Sequence, residues 1–186
     1  AGFIVETSKG TLTAQRVVVA TGPFQKAIIP SIAPQQTDLY QIHSDQYKNP
    51  QQIPEGAVLV VGSGSSGIQI ADELNRAGKK VYLSVGAHER PPRVYRQRDN
   101  VWWLGVLGGW DSIKTDTGPL KGLAVSGAHG GHSIDFRRLA QQGITLLGMT
   151  MQFEAERVRF QNDLQQSLAD GDKAYFEFLD AADAYV

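Results

Sequence analysis

Six consecutive residues have the types and spacing to hold a charged ligand. Gly62-Ser63-Gly64-Ser65-Ser66-Gly67 forms a G-x-G-x-x-G stretch between a short apolar run and amphipathic sequence. In such a turn Gly62 permits the sharp exit from a strand, Gly64 leaves room for a diphosphate against the backbone, and Gly67 lets the next helix lie close to the sheet. The helix N-terminus adds unpaired N–H groups and a partial positive charge, which stabilise a pyrophosphate without a dedicated lysine. Ser63, Ser65 and Ser66 contribute hydroxyl donors. Glycines in a strand–helix turn can also serve packing alone, but the strand–helix–strand setting points to a dinucleotide.

The next strand refines that reading. Sites that prefer NAD usually end it with Asp or Glu, about 20 residues past the turn, to accept from the ribose hydroxyl. Here it ends Tyr82-Leu83-Ser84-Val85 without a carboxylate, and Ser84 counts among the cofactor-binding residues. Directly behind it, His88–Arg98 carries four arginines: Arg90, Arg93, Arg96 and Arg98. A planar guanidinium matches the 2′-phosphate of NADPH in a paired geometry, so NADPH is preferred and Arg90 or Arg93 is expected at that phosphate. The alternatives are a solvated basic loop, or arginines paired with carboxylates of another domain.

The elements that position these residues follow from local pattern. Ala57–Val61 is a continuous apolar run of the kind found in a parallel strand covered on both faces. Ile68, Ala71 and Leu74 share one helical face, and Gly78 ends that helix. Val81–Val85 is the second strand, Ser133–Gln142 reads as helical, Ile144–Leu147 as a third strand, and Val158–Phe160 as a fourth. The tail from about Asp163 to Tyr185 reads as one or two helices with Leu164, Leu168, Phe176, Leu179 and Ala182 as apolar contacts. At the other end, Phe3–Thr7 and Thr11–Ala20 form a hairpin around Ser8-Lys9-Gly10. Residues 23–56 hold five of the eight prolines and read as a linker that marks a domain boundary. The chain opens on Ala1 without an initiator methionine, and two strands alone are marginal in water, so it reads as a piece of a longer protein.

Other candidates have plainer explanations. His129 and His132 lack the third ligand that a catalytic metal needs, so no metal site is expected. His43 reads as a surface group. Asp170, Asp172, Glu177 and Asp180 look like a solvated helix face. Val101–Leu107 with Trp102, Trp103 and Trp110 is either ordinary core packing of a short helix or the lining of an interface, and an uncovered apolar patch there would promote self-association. With 18 basic and 19 acidic residues the chain lacks the charge bias of a nucleic-acid binder. Zero cysteines exclude disulfides and dithiol chemistry, and a cytoplasmic location is compatible with that. The apolar runs fall short of the roughly 20 residues that cross a bilayer.

Taken in order, Val17-Val18-Val19-Ala20-Thr21-Gly22, His43-Ser44-Asp45-Gln46-Tyr47, Val60–Gly67 and Pro92–Asp99 resemble the NADPH-binding half of the flavin-containing monooxygenase family, in particular bacterial flavoproteins of the potassium-transport type. The resemblance covers most of the chain. It implies an α/β fold: a Rossmann-like NAD(P)-binding domain with a parallel sheet over 57–162, reached by the linker 23–56. It also implies that 1–22 is a β-hairpin remnant of the FAD domain and that 163–186 is a helical C-terminal tail leading back to it. Ala20-Thr21-Gly22 matches the family's crossing point between cofactor domains, which places Thr21 and Gly22 with the cofactor-binding residues. The implied enzyme uses NADPH to reduce bound FAD, after which reduced flavin activates oxygen toward a small-molecule substrate. No residue of this chain is expected to be catalytic, because the cofactors carry the redox steps. The chain alone is expected to be inactive without the FAD-binding halves. Thr37 and Leu39 stand where the family pattern has Phe and Gly before His43. The rival reading is a non-catalytic nucleotide-sensing domain that signals to a partner.

Overall fold

A computed structural model describes residues 2–22, 26–34, 38–111, 121–154 and 157–186. Pro23 and Thr37, which enter the linker and the departure from the family pattern, lie outside the described residues. The molecule is built around three parallel strands, β3 (Val58–Val61), β4 (Val81–Ser84) and β11 (Thr145–Leu147), in the order β11-β4-β3. Val58 pairs with Val81 and Thr145 with Tyr82. This is an α/β architecture with a parallel sheet.

The centre of the sheet is β4, and its residues explain why. Val81 and Leu83 are fully buried, as is Val85 just beyond, and each such side chain contributes about 1.5–3 kcal/mol when removed from water. By contrast β3 forms an edge of this sheet: its residues are half-buried and Val61 is exposed. The expectation that Ala57–Val61 is covered on both faces is therefore corrected: the strand buried at the centre of the sheet is β4. Helix α1 (Ser65–Arg76) connects the two and buries Ile68, Ala71 and Leu74 against the core. It ends as its sequence demands, because Gly78 takes φ +82°. Gly78 N–H then bonds Asn75 O, and Lys79 N–H bonds Leu74 O, which satisfies the last carbonyls of the helix.

Short elements follow β4: β5 (His88–Glu89), β6 (Val94–Tyr95), β7 (Arg98–Asp99), helix α2 (Asn100–Val106), β8 (Gly122–Leu123), β9 (Val125–Ser126) and β10 (His132–Ser133). Helix α3 (Phe136–Gln141) starts on Asp135, whose carboxylate accepts from Arg137 N and Arg138 N. The helical reading of Ser133–Gln142 is thus corrected at its start, since Ser133 pairs with Val125 in an antiparallel bridge. Val158–Phe160 is β13, and it does not extend the parallel sheet. It pairs antiparallel with β12 (Thr150–Phe153), a strand the sequence reading missed. The tail is one helix, α4 (Leu164–Tyr185). Leu168 and Ala182 are buried, whereas Phe176, expected as a contact, is exposed because it faces away from the core side that Gly171 and Ala182 define.

The N-terminal hairpin pairs β1 (Phe3–Thr7) with β2 (Gly10–Ala14). The second arm stops at Ala14 rather than Ala20. Val17–Val19 remain outside any strand and exposed, with no described strand alongside to take up their backbone groups. Between the hairpin and β3, a 3-10 turn at Pro50–Gln52 leads to buried Ile53, and Ile42 and Tyr47 pack against the core. No helix among the described residues is long and apolar enough to cross a membrane.

Candidate functional site

The glycine-rich turn leaves β3 at its C-terminal end and delivers the chain into α1. Gly62 holds φ +107°, a conformation that a side chain would strain. At Gly67 an added methyl group would collide with the Gly62 carbonyl oxygen, so close helix–strand packing requires glycine there. Gly64 carries neither constraint: its φ is −73°, and a Cβ on it would meet nothing within 4 Å. Space therefore opens on the Cβ side of Gly64, while Gly122 lies close to its N and Cα. Helix α1 begins on Gly64 without a side-chain cap, unlike α2, where Asp99 accepts from Val101 N at 2.9 Å. Its first-turn amides and that open face fit a diphosphate.

The serines of the turn divide by role. Ser63 is buried, and its Oγ accepts from Gly86 N at 3.2 Å, tying the turn to the segment after β4. Ser65 Oγ donates to Leu123 O at 2.8 Å and accepts from Val125 N at 3.3 Å. Ser66 is exposed and borders a cleft of about 460 Å³, which Tyr47, Gln69, Glu73, Arg76 and His129 also line. Across that cleft Tyr47 donates to Glu73 Oε2 at 2.8 Å. Burial, then the hydrogen bond and charge of Glu73, push the phenol well above its usual range.

Ser84 sits at the end of β4 with its hydroxyl turned inward. It donates to Gly148 O at 3.0 Å and accepts from Thr150 N at 3.0 Å and Thr150 Oγ1 at 2.8 Å. That fully engaged oxygen locks β4 to the entry of β12 instead of facing the turn. Thr21 and Gly22 are exposed, and Gly22 has φ +70°.

The arginines behind β4 are placed individually. Arg90 is mostly buried, bonds Asp172 of α4, reaches the Ile134 carbonyl at 3.5 Å and lies over the Tyr175 ring at 4.7 Å. Arg93 pairs with Asp99 at 2.8 Å and Arg96 with Asp183 at 2.8 Å, while Arg98 lies over the Trp102 ring at 5.1 Å. Asp172 also accepts from Arg137. Burial tends to raise the Asp172 carboxyl, but hydrogen bonds from Arg137 and Arg90 prevail and hold it below its ordinary value. The expectation of a solvated carboxylate face on α4 is corrected for Asp172 alone, since Asp170, Glu177 and Asp180 are exposed. Asp172 is an internal ion-pair partner, Asp170 accepts from Gln166 and Glu177 pairs with Lys173.

Sequence reasoning missed His88. Its ring is buried against Phe136 at 4.5 Å, Nδ1–H donates to Gly86 O at 2.9 Å, and Nε2 has no described partner. Gly171 of α4 is packed so tightly over Nε2 that an added methyl group would overlap it. The one sequence signal was a glycine in a helix interior, which costs about 1 kcal/mol unless packing requires it. Among the aromatics, Trp103 is a core residue, whereas Trp102 and Trp110 remain exposed. His43 bonds Asp45 at 2.8 Å, and no group of potential metal ligands occurs among the described residues.

The family described as pyridine nucleotide-disulphide oxidoreductase matches residues 1–101, and the chain belongs to that family. Membership implies a Rossmann-like fold, with which the β11-β4-β3 sheet agrees. An "Uncharacterized oxidoreductase CzcO-like" of Geobacillus kaustophilus is 49% identical over 109 residues, covering 57% of this chain and 31% of the relative. An "Uncharacterized oxidoreductase CzcO" of Bacillus subtilis is 38% identical over 115 residues, with the same coverage. The "Flavin-containing monooxygenase iboF" of Amanita muscaria is 38% identical over 114 residues, 54% of this chain and 21% of the relative. The chain thus spans about a third of the length of its bacterial relatives. No solved structure matches it.

Proposed function

We propose that this chain is the pyridine-nucleotide-binding part of a cytoplasmic, FAD-dependent, NADPH-using oxidoreductase, of the flavin-containing monooxygenase kind. The observation that carries the reading is the unfilled face of Gly64 at the uncapped start of α1, directly beyond the carboxyl end of β3. Ligands of open α/β sheets bind at that edge. Bound NADPH would supply hydride to a flavin, and the residues here bind and orient it. Gly62 sets the exit angle, Gly64 admits the diphosphate, and the amides of Ser65, Ser66 and Gly67 donate to its oxygens. Ser63 keeps the turn in register with the segment after β4 through Gly86. Thr21 and Gly22 belong at the boundary with the flavin. The flavin-binding portions of the protein would cover the apolar surface of the hairpin, including Phe3, Ile4 and Leu12. Arg90 and Arg93, the guanidiniums expected at the 2′-phosphate, are held by Asp172 and Asp99, so either would have to exchange a carboxylate for a phosphate.

Titration with NADPH, followed by calorimetry or nucleotide fluorescence, tests the reading. Gly64→Val fills the open face and is expected to weaken NADPH binding by at least about tenfold without lowering the melting temperature. Unchanged affinity in Gly64→Val, or no binding by the unaltered protein, would defeat it.

A further inference from the structure

We infer that Lys121 is the specificity residue that reads the 2′-phosphate, carried to the coenzyme by a strap that lies across the glycine-rich turn. The inference rests on the dinucleotide reading above and names the residue that distinguishes the two coenzymes. The strap is the segment 121–125. On one side it runs parallel to β5, with Gly122 opposite His88 and Leu123 opposite Glu89. Gly122 N donates to Ala87 O at 3.0 Å and Ala124 N to Glu89 O at 2.7 Å. On the other side Ser65 Oγ binds both Leu123 O and Val125 N. A Cβ on Gly122 would stand 3.3 Å from the N and Cα of Gly64. The strap therefore bridges the turn after β3 and the segment after β4. Between those two places the adenosine ribose of a dinucleotide lies, with its 2′ substituent toward the second strand.

The cations near this edge are not equivalent. Arg90 is directed away from it, toward α4 and the Ile134 carbonyl, and its side chain is only 14% exposed. Arg93 bonds Asp99 and is packed on the backbone of Gly131, and Arg96 is held by Asp183. Lys121 adjoins the glycine that touches Gly64, and its side chain is 55% exposed. Its ion-pair partner is Glu89, at the long distance of 3.4 Å. Exposed pairs of this kind are worth little, so exchange of Glu89 for a doubly charged phosphate costs little. Glu89 completes the device. It lies five residues beyond Ser84, at the edge where a carboxylate would accept from a ribose hydroxyl and repel a phosphate. Lys121 offsets that repulsion. The pair thus sets coenzyme preference: the ammonium favours the phosphorylated ribose and the carboxylate the plain one.

The test uses the full chain, titrated with NADPH and with NADH by nucleotide fluorescence, in the unaltered protein and in Lys121→Gln, Lys121→Arg, Glu89→Gln and Gly64→Val. Lys121→Gln is expected to weaken NADPH binding about tenfold and leave NADH unchanged, with Lys121→Arg close to the unaltered protein. Glu89→Gln is expected to move the preference further toward NADPH. Equal effects of Lys121→Gln on both coenzymes, or none on either, overturn the assignment. If Gly64→Val abolishes binding of both coenzymes while Lys121→Gln does nothing, only the role of Lys121 falls. If Gly64→Val leaves both unchanged, or the unaltered protein binds neither, the dinucleotide reading falls and this inference with it.

Discussion

His88 shows how one side chain links the site to the rest of the chain. The residue follows directly on the segment beyond β4, and its imidazole is enclosed by Phe136 of α3 and Gly171 of α4. Burial lowers its pKa from the ordinary 6.5; the Gly86 carbonyl opposes that shift, Arg90 reinforces it, and Asp172 and Asp170 oppose it. The folded protein therefore resists a proton that the unfolded chain accepts. The stability associated with neutral His88 is fully present above 6.5 and is lost as pH falls through the lower folded-state value. Unfolding by urea at about pH 7 and about pH 5.5 is expected to show lower stability at the acid end. The C2 proton of His88, followed by NMR, should titrate below 6.5; a midpoint at or above that value would refute the account. At this scale Gly62 and Gly67 were legible in the sequence, because a positive φ and a close helix–strand approach are met by glycine. The partners of Ser84, Ser65 and Arg90 were not, since each lies 44 or more residues away.

Among the elements, α4 depends most on a single small residue. Gly171 sits in the interior of a 22-residue helix, where alanine would ordinarily stabilise by about 1 kcal/mol. Here its absent side chain admits His88 Nε2. Beside it, Asp172 binds Arg90 and Arg137. Gly171→Ala is expected to destabilise the protein by about 1–3 kcal/mol, from overpacking that outweighs the gain in propensity. Urea unfolding measures this, and a stabilised variant would show that α4 is not seated on His88. The β3–α1–β4 unit could be read in advance because its periods and its terminating glycine are local. Strand pairing is not local. Val17–Val19 have strand composition without a described neighbour, and the two-residue β5 and β8 have no signature apart from each other.

For the molecule as a whole, the distribution of apolar surface matters more than its amount. The core gathers around β4, while Ile4, Val18, Val19 and Ile28 are each more than 70% exposed, and Trp110 is 63% exposed. Surfaces of that kind bury themselves against whatever is available. Studied as the 186-residue chain, the protein is expected to associate with rising concentration. Sedimentation velocity over a dilution series checks this, and a constant monomer at every concentration would disprove it. Helix α4 also has a practical use. Near its far end Asp183 binds Arg96 and Tyr95, and Tyr185 stands edge-on to Trp102 and Trp103 at 6.1 and 6.2 Å. Light absorbed by this tyrosine passes to indoles so close by, so the chain's own fluorescence is a built-in gauge of whether its last helix is docked.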